Sequence, residues 1–312
     1  MAPTFAEAIA VSAVDSHTYT ANFLSEWCIG SVTHGGVVTA TLLQVAKSHF
    51  SSTLSSQNQP HTIAFHAEFL RRTNVGPATF KVRNMKLGRM TSTVHVTLIQ
   101  DGREEVVAYI TNSHMGKEQG MTFPTHYTPH PPLPPKPKDF TKLASDNEDE
   151  AWALLTDLPH PEKRKAVQRV RMYVPKSGSV APNIVDEWIR LESGESFPDA
   201  GIGFVSDMWP QMLEGLQEKA LGKEEGKKAV AKGWYWYPTL TLSLDSKKPL
   251  PEKGTEWLHV RVMTKMVKNG RYDYEIVVFD MDEEIVALSH HIALAVDGSR
   301  NLAKRRTEES KM

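Results

Sequence analysis

Two α+β domains in one chain, each a long helix laid against a meander of antiparallel strands, are predicted by three features of the sequence. Its 312 residues suffice for two cores of ordinary size. Apolar residues recur first at helical and then at strand spacing, and this succession occurs twice. A stretch dominated by proline and charge separates the two occurrences.

In the first half an apolar stretch opening at Gly35 and Gly36, VVTATLLQVAKSHF, has helical periodicity. The runs HTIAFHAEFL, ATFKVRNMKL, STVHVTLIQ and EVVAYITNSH then alternate as half-buried strands do. From about Met115 this patterning fades into PHPPLPPKPKDF and SDNEDE, which read as a linker. The second half repeats the order, with FPDAGIGFVSDMWPQML as a helix and WYWYPTLTLSL, WLHVRVMTKMV, YDYEIVVFD and EIVALSHHIALAV as strands. The expected boundaries are an N-terminal domain over 1–118, a linker over 119–165, a C-terminal domain over 166–298 and a polar tail over 299–312.

The halves can also be laid on one another as sequences. IQDGREEVVAYI matches VFDMDEEIVALS, and LRRTN matches SKKPL, an internal repeat of about 100 residues. One helix ahead of an amphipathic meander buries its apolar face only if the sheet wraps around it. That describes a hot-dog domain, and two in tandem make a double hot-dog fold; a generic α+β pair without the wrap is the alternative.

Composition narrows the function classes. Apolar residues at 40% and charged residues at 23% belong to a globular chain, and no apolar run approaches the roughly 18 residues of a membrane span. A formal net charge of -1 provides no field for nucleic acid or an anionic membrane, so neither is an expected partner and an anionic ligand must be held locally. Cys28 is the only cysteine, which excludes an intrachain disulfide and a cysteine zinc cluster; no metal or other cofactor is expected. The opening MAPTFAEAIAVSAVDSH has neither a basic n-region nor an apolar h-region, so an intracellular location is expected. The ending Ser310-Lys311-Met312, with Lys304, Arg305 and Arg306 upstream, is one side chain away from the peroxisomal S-K-L address; a cytoplasmic protein with a polar tail is the alternative.

Several runs, taken in order, reach a known family: WCIGSVTHGGVV from Trp27 to Val38, FHAEFLRRTN, IQDGREEVVAYITNSH, EWIRLESGES, the helix ending SDMWP, and PTLTLSLDSKKPL through EIVALSHHIALA. Their order and spacing resemble the tandem hot-dog acyl-CoA thioesterases, in particular the acyl-CoA thioesterase II type and its fungal-like relatives. The resemblance implies hydrolysis of an acyl-CoA or acyl-carrier thioester to acid and thiol, and assembly into homo-oligomers.

Such hydrolysis needs donors to polarise the carbonyl, a positioned water and a group to take its proton. Gly35 and Gly36 open the first helix, where bare backbone N–H groups at the positive end of the helix dipole can approach an oxygen; His34 before them is a candidate cap or donor. Close helix packing would also explain the glycines. Asp207, among apolar neighbours in GFVSDMWPQM, is placed in the last turns of a helix that Pro210 must kink or end. Apolar surroundings and the negative helix end both push such a carboxyl upward, toward the range of a general base. The family pattern puts a catalytic aspartate here. It puts a catalytic threonine at Thr239, which strict alternation places on the face opposite Leu240, Leu242 and Leu244.

His291 departs from the family, which has a glutamine at this strand position. With Ala287, Ser289 and Ala293 on its face it is the favoured one of two adjacent histidines, either orienting water or acting as an acid/base partner of Asp207. By the repeat, Ile63 takes the place of Thr239 and Asn112 that of His291, so the first half carries no second proton-transfer set. Arg71, Arg72, Lys247 and Lys248 are candidates for coenzyme A phosphates, and Trp234 to Tyr237 for an acyl tunnel. A hot-dog dehydratase or isomerase using an Asp/His pair, and a non-catalytic acyl-CoA binder, are the alternative functions.

Overall fold

The computed structural model describes residues 3–158, 160–209, 212–216 and 234–303. Pro210, the basic residues at 304–306 and the terminal tripeptide lie outside them. In the first half the strands are β1 (Thr18–Phe23), β2 (His61–Phe69), β3 (Gly76–Lys86), β4 (Ser92–Gln100) and β5 (Arg103–Ser113). Helix α1 (Gly35–Ser51) lies between β1 and β2. The helix α2 (Phe140–Asp146) and the strand β6 (Trp152–Leu154) come next. The second half has β7 (Val170–Pro175), β8 (Ile184–Leu191), α3 (Gly201–Val205), β9 (Thr239–Ser246), β10 (Leu258–Met263), β11 (Arg271–Phe279) and β12 (Ile285–Leu294), and α4 (Ser299–Leu302) follows.

Among the described residues these strands form one antiparallel 14-stranded sheet, in the order β1-β3-β4-β5-β2-β9-β12-β11-β10-β8-β7-β6. The short Ser12–Ala13 extends the β1 edge, and Val267–Lys268 pairs with β11. The order from β1 to β2 mirrors that from β8 to β9, so the halves meet back to back along the β2 and β9 seam. The leading strands β1 and β8 are additions to the helix-then-strands pattern read from sequence.

The two helices lie inside this wrap. Helix α1 buries Val37, Val38, Leu42, Val45, Ala46 and Phe50 in a core shared by both halves. Truncating Leu42, which is fully buried, to alanine would cost about 2–5 kcal/mol. Helix α3 crosses α1 closely because two glycines remove the obstacle. A Cβ on Gly36 would stand 2.5 Å from the Phe204 carbonyl oxygen, and one on Gly203 would stand 2.8 Å from Thr39 Cγ2 and 3.1 Å from the Ala40 nitrogen.

Three expectations change. The second helix does not run through FPDAGIGFVSDMWPQML: α3 ends at Val205 with Ser206 as its C-cap, and residues 212–216 are helical again. Asp207 therefore lies in the turn after the helix rather than in its last turn. The segment read as linker carries structure from Phe140 onward. Asp139 caps α2 by accepting from the Thr141 and Lys142 amides, β6 pairs with β7, and Leu143 and Trp152 are buried against Tyr173, Trp188 and Trp257. The proline run before it is fastened by Arg261, which donates to the carbonyls of Pro131 and Pro132 while paired with Asp186.

The third change is one of register. Both inner seam strands carry a one-residue irregularity, between Thr62 and Ala64 in β2 and between Thr239 and Thr241 in β9. A bulge reverses the inside-outside phase of the strand beyond it. Thr239 accordingly pairs with Ala293, and Leu242 with His291, all on the inner face. The same bulge equates Thr62 with Thr239, Asn112 with Ala293 and Ile110 with His291. Ile63 and Asn112 are thus not the counterparts that the sequence repeat suggested.

Candidate active site

The bulge at Leu240 brings Thr239 under the turn that follows α3, and there Thr239 Oγ1 donates to Asp207 Oδ1 at 2.7 Å. The other carboxylate oxygen rests against the first residue of α1: a Cβ on Gly35 would stand 2.4 Å from Asp207 Oδ2. The carboxyl of the second half is therefore seated on the helix N-terminus of the first. Gly35 is required for that approach, and Gly36 for the passage of α3.

Burial dominates the carboxyl's chemistry. It pushes Asp207 up to about 7, against the opposing effects of the Thr239 hydroxyl and the Gly36 amide. The amino-terminal end of α1 favours the charged form here, so desolvation is the leading cause of the upward shift. At neutral pH the group is close to half ionised, which suits a proton acceptor.

His34 is the N-cap of α1. Its Nδ1 accepts from the Gly36 amide at 3.0 Å, which leaves the hydrogen on Nε2. Burial holds the ring neutral by lowering it to about 4. His34, Gly35, Asp207 and Thr239 all line one cavity of about 360 Å³.

His291 is differently placed. It is fully buried behind the carboxylate and is not among the cavity-lining residues. Its Nδ1 lies 3.6 Å from Asp207 Oδ1, beyond hydrogen-bonding distance, and its Nε2 is 3.1 Å from Ser289 Oγ. Because the Ser289 hydroxyl hydrogen goes to the Ser243 carbonyl, Ser289 can only accept from His291. Nε2 therefore carries the ring hydrogen, and a bare Nδ1 lone pair faces Asp207. Burial, then the neighbouring His290, lowers the imidazole to about 3, so the pair is a carboxyl beside a neutral ring and not an ion pair.

The candidate cations separate. Arg71 and Arg72 line the cavity, but Arg72 is committed to the carbonyls of Arg300, Asn301 and Ala303, and Arg71 donates to the Glu104 carbonyl. Lys247 and Lys248 do not reach it; Lys247 pairs with Asp245, and Lys248 with Asp280 and Glu284. Of the aromatic run, Tyr235, Trp236 and Tyr237 line the cavity. Two lining arginines were not anticipated. Arg300 lies at the exposed end, and Arg164, 2% exposed, lies at the inner wall. Arg164 belongs to the run EKRKAVQR, which in sequence looks like a solvated basic stretch.

A small cavity of about 40 Å³ occupies the pseudo-symmetric position, lined by Leu43, Thr62, Asp199 and Ala200 among others. The Thr62 hydroxyl that lines it donates to the Asn112 side-chain oxygen and not to a carboxylate. Among the described residues no cluster of three or more His, Cys, Asp or Glu side chains is arranged to hold a metal ion, and no helix is long and apolar enough to cross a membrane.

Comparison with known proteins agrees with this architecture. The chain matches the acyl-CoA thioesterase N-terminal domain family over residues 23–113 and the acyl-CoA thioesterase C-terminal domain family over residues 137–295. It is 35% identical to the thioesterase-like protein TwmA of Talaromyces wortmannii, over 96% of this chain and 94% of that protein. Among solved structures it shares its fold with a putative thioesterase II from Thermobifida fusca, at a TM-score of 0.70, 20% identity and coverage of 94% and 97% of the two chains. It likewise matches a hot-dog protein of unknown function from Alicyclobacillus acidocaldarius, at a TM-score of 0.71, 16% identity and coverage of 95% and 99%.

Proposed function

The chain belongs to the acyl-CoA thioesterase family, and on that premise we propose that Asp207 takes the proton from the water that attacks the acyl thioester. The enzyme is a thioester hydrolase of double hot-dog architecture. The observation that carries the role of Asp207 is its seat: a buried carboxyl near 7, held by Thr239, facing a cavity at a helix N-terminus.

Water adds to the thioester carbonyl as its proton passes to Asp207, and the oxyanion is met by the His34 Nε2–H and the Gly35 amide. The tetrahedral intermediate collapses with loss of the carbon–sulfur bond, and Asp207 returns the proton to the thiolate. Thr239 holds the carboxylate in place. His291 acts on Asp207 rather than on substrate: its lone pair opposes the charged carboxylate and keeps it basic. Arg71 and Arg300, at the exposed end of the cavity, are the side chains assigned to coenzyme A phosphates. The case for a dehydratase or isomerase rested on an Asp/His pair with His291 in place of glutamine, and a neutral ring that does not line the cavity gives it no support.

Replacing Asp207 by Asn keeps the shape and removes the acceptor. Thiol release from acyl-CoA should lose about 10² to 10⁴-fold in kcat with KM little changed. A folded Asp207→Asn protein with full activity would overturn the assignment. For location, the terminal Ser310-Lys311-Met312 supports a peroxisomal address on sequence grounds. A fluorescent protein carrying the last dozen residues should collect in puncta, and diffuse fluorescence would discard the idea.

A further inference from the structure

The inner wall of the cavity is more polar than a saturated acyl chain requires. Arg164 forms a two-pronged pair with Glu214, Nη1 donating to Oε2 at 3.0 Å and Nη2 donating to Oε1. Tyr237 Oη donates to the same Glu214 Oε1 at 3.2 Å. Both Arg164 and Tyr237 line the cavity. Among the described residues Glu214 is the only acceptor that the Arg164 side chain meets, and a guanidinium has five N–H groups to place.

Tyrosines connect this corner to the reaction centre. Tyr237 packs edge-on to Tyr272 with ring centroids 6.4 Å apart, and Tyr272 to Tyr274 at 4.9 Å. Burial raises Tyr274 well above its ordinary value, and both Glu214 and Asp207 are close enough to add to that effect. The corner thus lies farther along the same wall that begins at the catalytic carboxyl.

We propose that the acyl group of the natural substrate carries an uncharged oxygen function, a hydroxyl or a keto group, bound by Arg164 and Tyr237. This rests on the thioesterase reading. A methylene chain filling the corner would strip water from the N–H groups of Arg164 that meet no acceptor among the described residues and return no hydrogen bond, a loss that buried polar groups do not tolerate well. A hydroxyl or carbonyl oxygen accepts from Arg164, and a hydroxyl can also donate to Tyr237 Oη. A carboxylate fits less well: Glu214 already neutralises Arg164, so a second anion would find no net positive charge to offset its desolvation.

The test uses a series of hydroxyacyl-CoA thioesters with the hydroxyl at successive carbons, their saturated parents, and the ω-carboxyacyl-CoA of equal length. Thiol release gives kcat/KM for each, in the wild-type enzyme, Tyr237→Phe and Arg164→Lys, with thermal melting as a check on folding. One hydroxyl position should be preferred over its parent by at least about tenfold. That ratio should shrink several-fold in Tyr237→Phe, the variant that leaves the ion pair intact, and further in Arg164→Lys. Parents hydrolysed as well as every hydroxyacyl partner, a preference for the carboxylate, or a ratio untouched in both variants would each overturn the proposal. Hydrolysis of saturated chains with no oxygen preference refutes this inference alone, whereas release of no thiol from any thioester refutes the thioesterase reading beneath it.

Discussion

Thr239→Val is the most discriminating substitution at the site, because it alters the charge of Asp207 without touching the carboxyl itself. Valine preserves the shape of threonine and deletes the donor of the 2.7 Å hydrogen bond to Asp207 Oδ1. A hydrogen bond to a charged group contributes about 1.5–3 kcal/mol, and each pH unit of titration corresponds to about 1.4 kcal/mol. Losing a contact that favours the ionised form should raise the carboxyl, already near 7, by roughly 1 to 2 pH units. At pH 7 the ionised fraction then falls from about half to between about 1% and 10%, so kcat/KM should drop roughly 5- to 50-fold. By about pH 9.5 most of that loss should return, because the base is again ionised. The assay is thiol release from acyl-CoA between about pH 5.5 and 10, fitted for the acidic limb. A limb that stays near 7, with the same proportional loss at every pH, would refute the argument that Thr239 works through the charge of Asp207.

Three further outcomes follow from the same geometry. His291→Gln replaces a lone pair aimed at Asp207 with an amide able to donate; the acidic limb should move down by about one pH unit and the plateau rate should stay within about tenfold, and an unmoved limb would show that the ring does not act on the carboxyl. Gly35→Ala places a Cβ 2.4 Å from Asp207 Oδ2 and should cost about a hundredfold in kcat with modest loss of stability, whereas Gly36→Ala presses on the Phe204 carbonyl and should lower Tm by an amount equivalent to about 1–3 kcal/mol; equal melting temperatures would contradict the close helix crossing. The folded carboxyl of Asp207 titrates higher than it would unfolded, so its stabilising effect is full at low pH and is lost as pH rises toward 7, by up to roughly 4 kcal/mol. Asp207→Asn escapes that loss and should be the more stable protein in denaturant titrations at pH 8, with the advantage shrinking toward pH 4.

Patterns of period and order were legible in the sequence, and features set by register were not. Helix α1 could be read because a long, largely apolar run without proline follows two glycines, and the structure buries it on nearly every side. The carboxyl stood out because Asp207 interrupts an apolar run. Thr239 was assigned to the wrong face, since alternation is blind to a one-residue bulge, and the same blindness moved the repeat by two positions in β5 and β12. The brevity of α3 had a partial signal in Gly201 and Gly203, weak helix formers whose purpose appears only when α1 is laid across them. Trp152, in the apolar AWALL that follows the acidic SDNEDE, was the clue that the linker docks on the sheet. Arg164 and Glu214 are 50 residues apart and carry no local mark of their pairing.

The seam between β2 and β9 has a bearing on biosynthesis. His66 and Ser243, hydrogen-bonded across it, are 177 residues apart in the chain. At ribosomal rates of about 5–20 residues per second, the open edge of β2 waits roughly 10 to 35 s for its partner strand to be made. Through that interval the nascent first half displays unpaired backbone donors and acceptors beside an apolar interior, the condition under which edges recruit foreign strands. Its outer face offers some protection, since His66 and Glu68 alternate as polar, exposed residues along β2. The late arrival of β9 also means that Thr239 is the last of the site residues to join Gly35 and Asp207, so the site is incomplete until the seam closes.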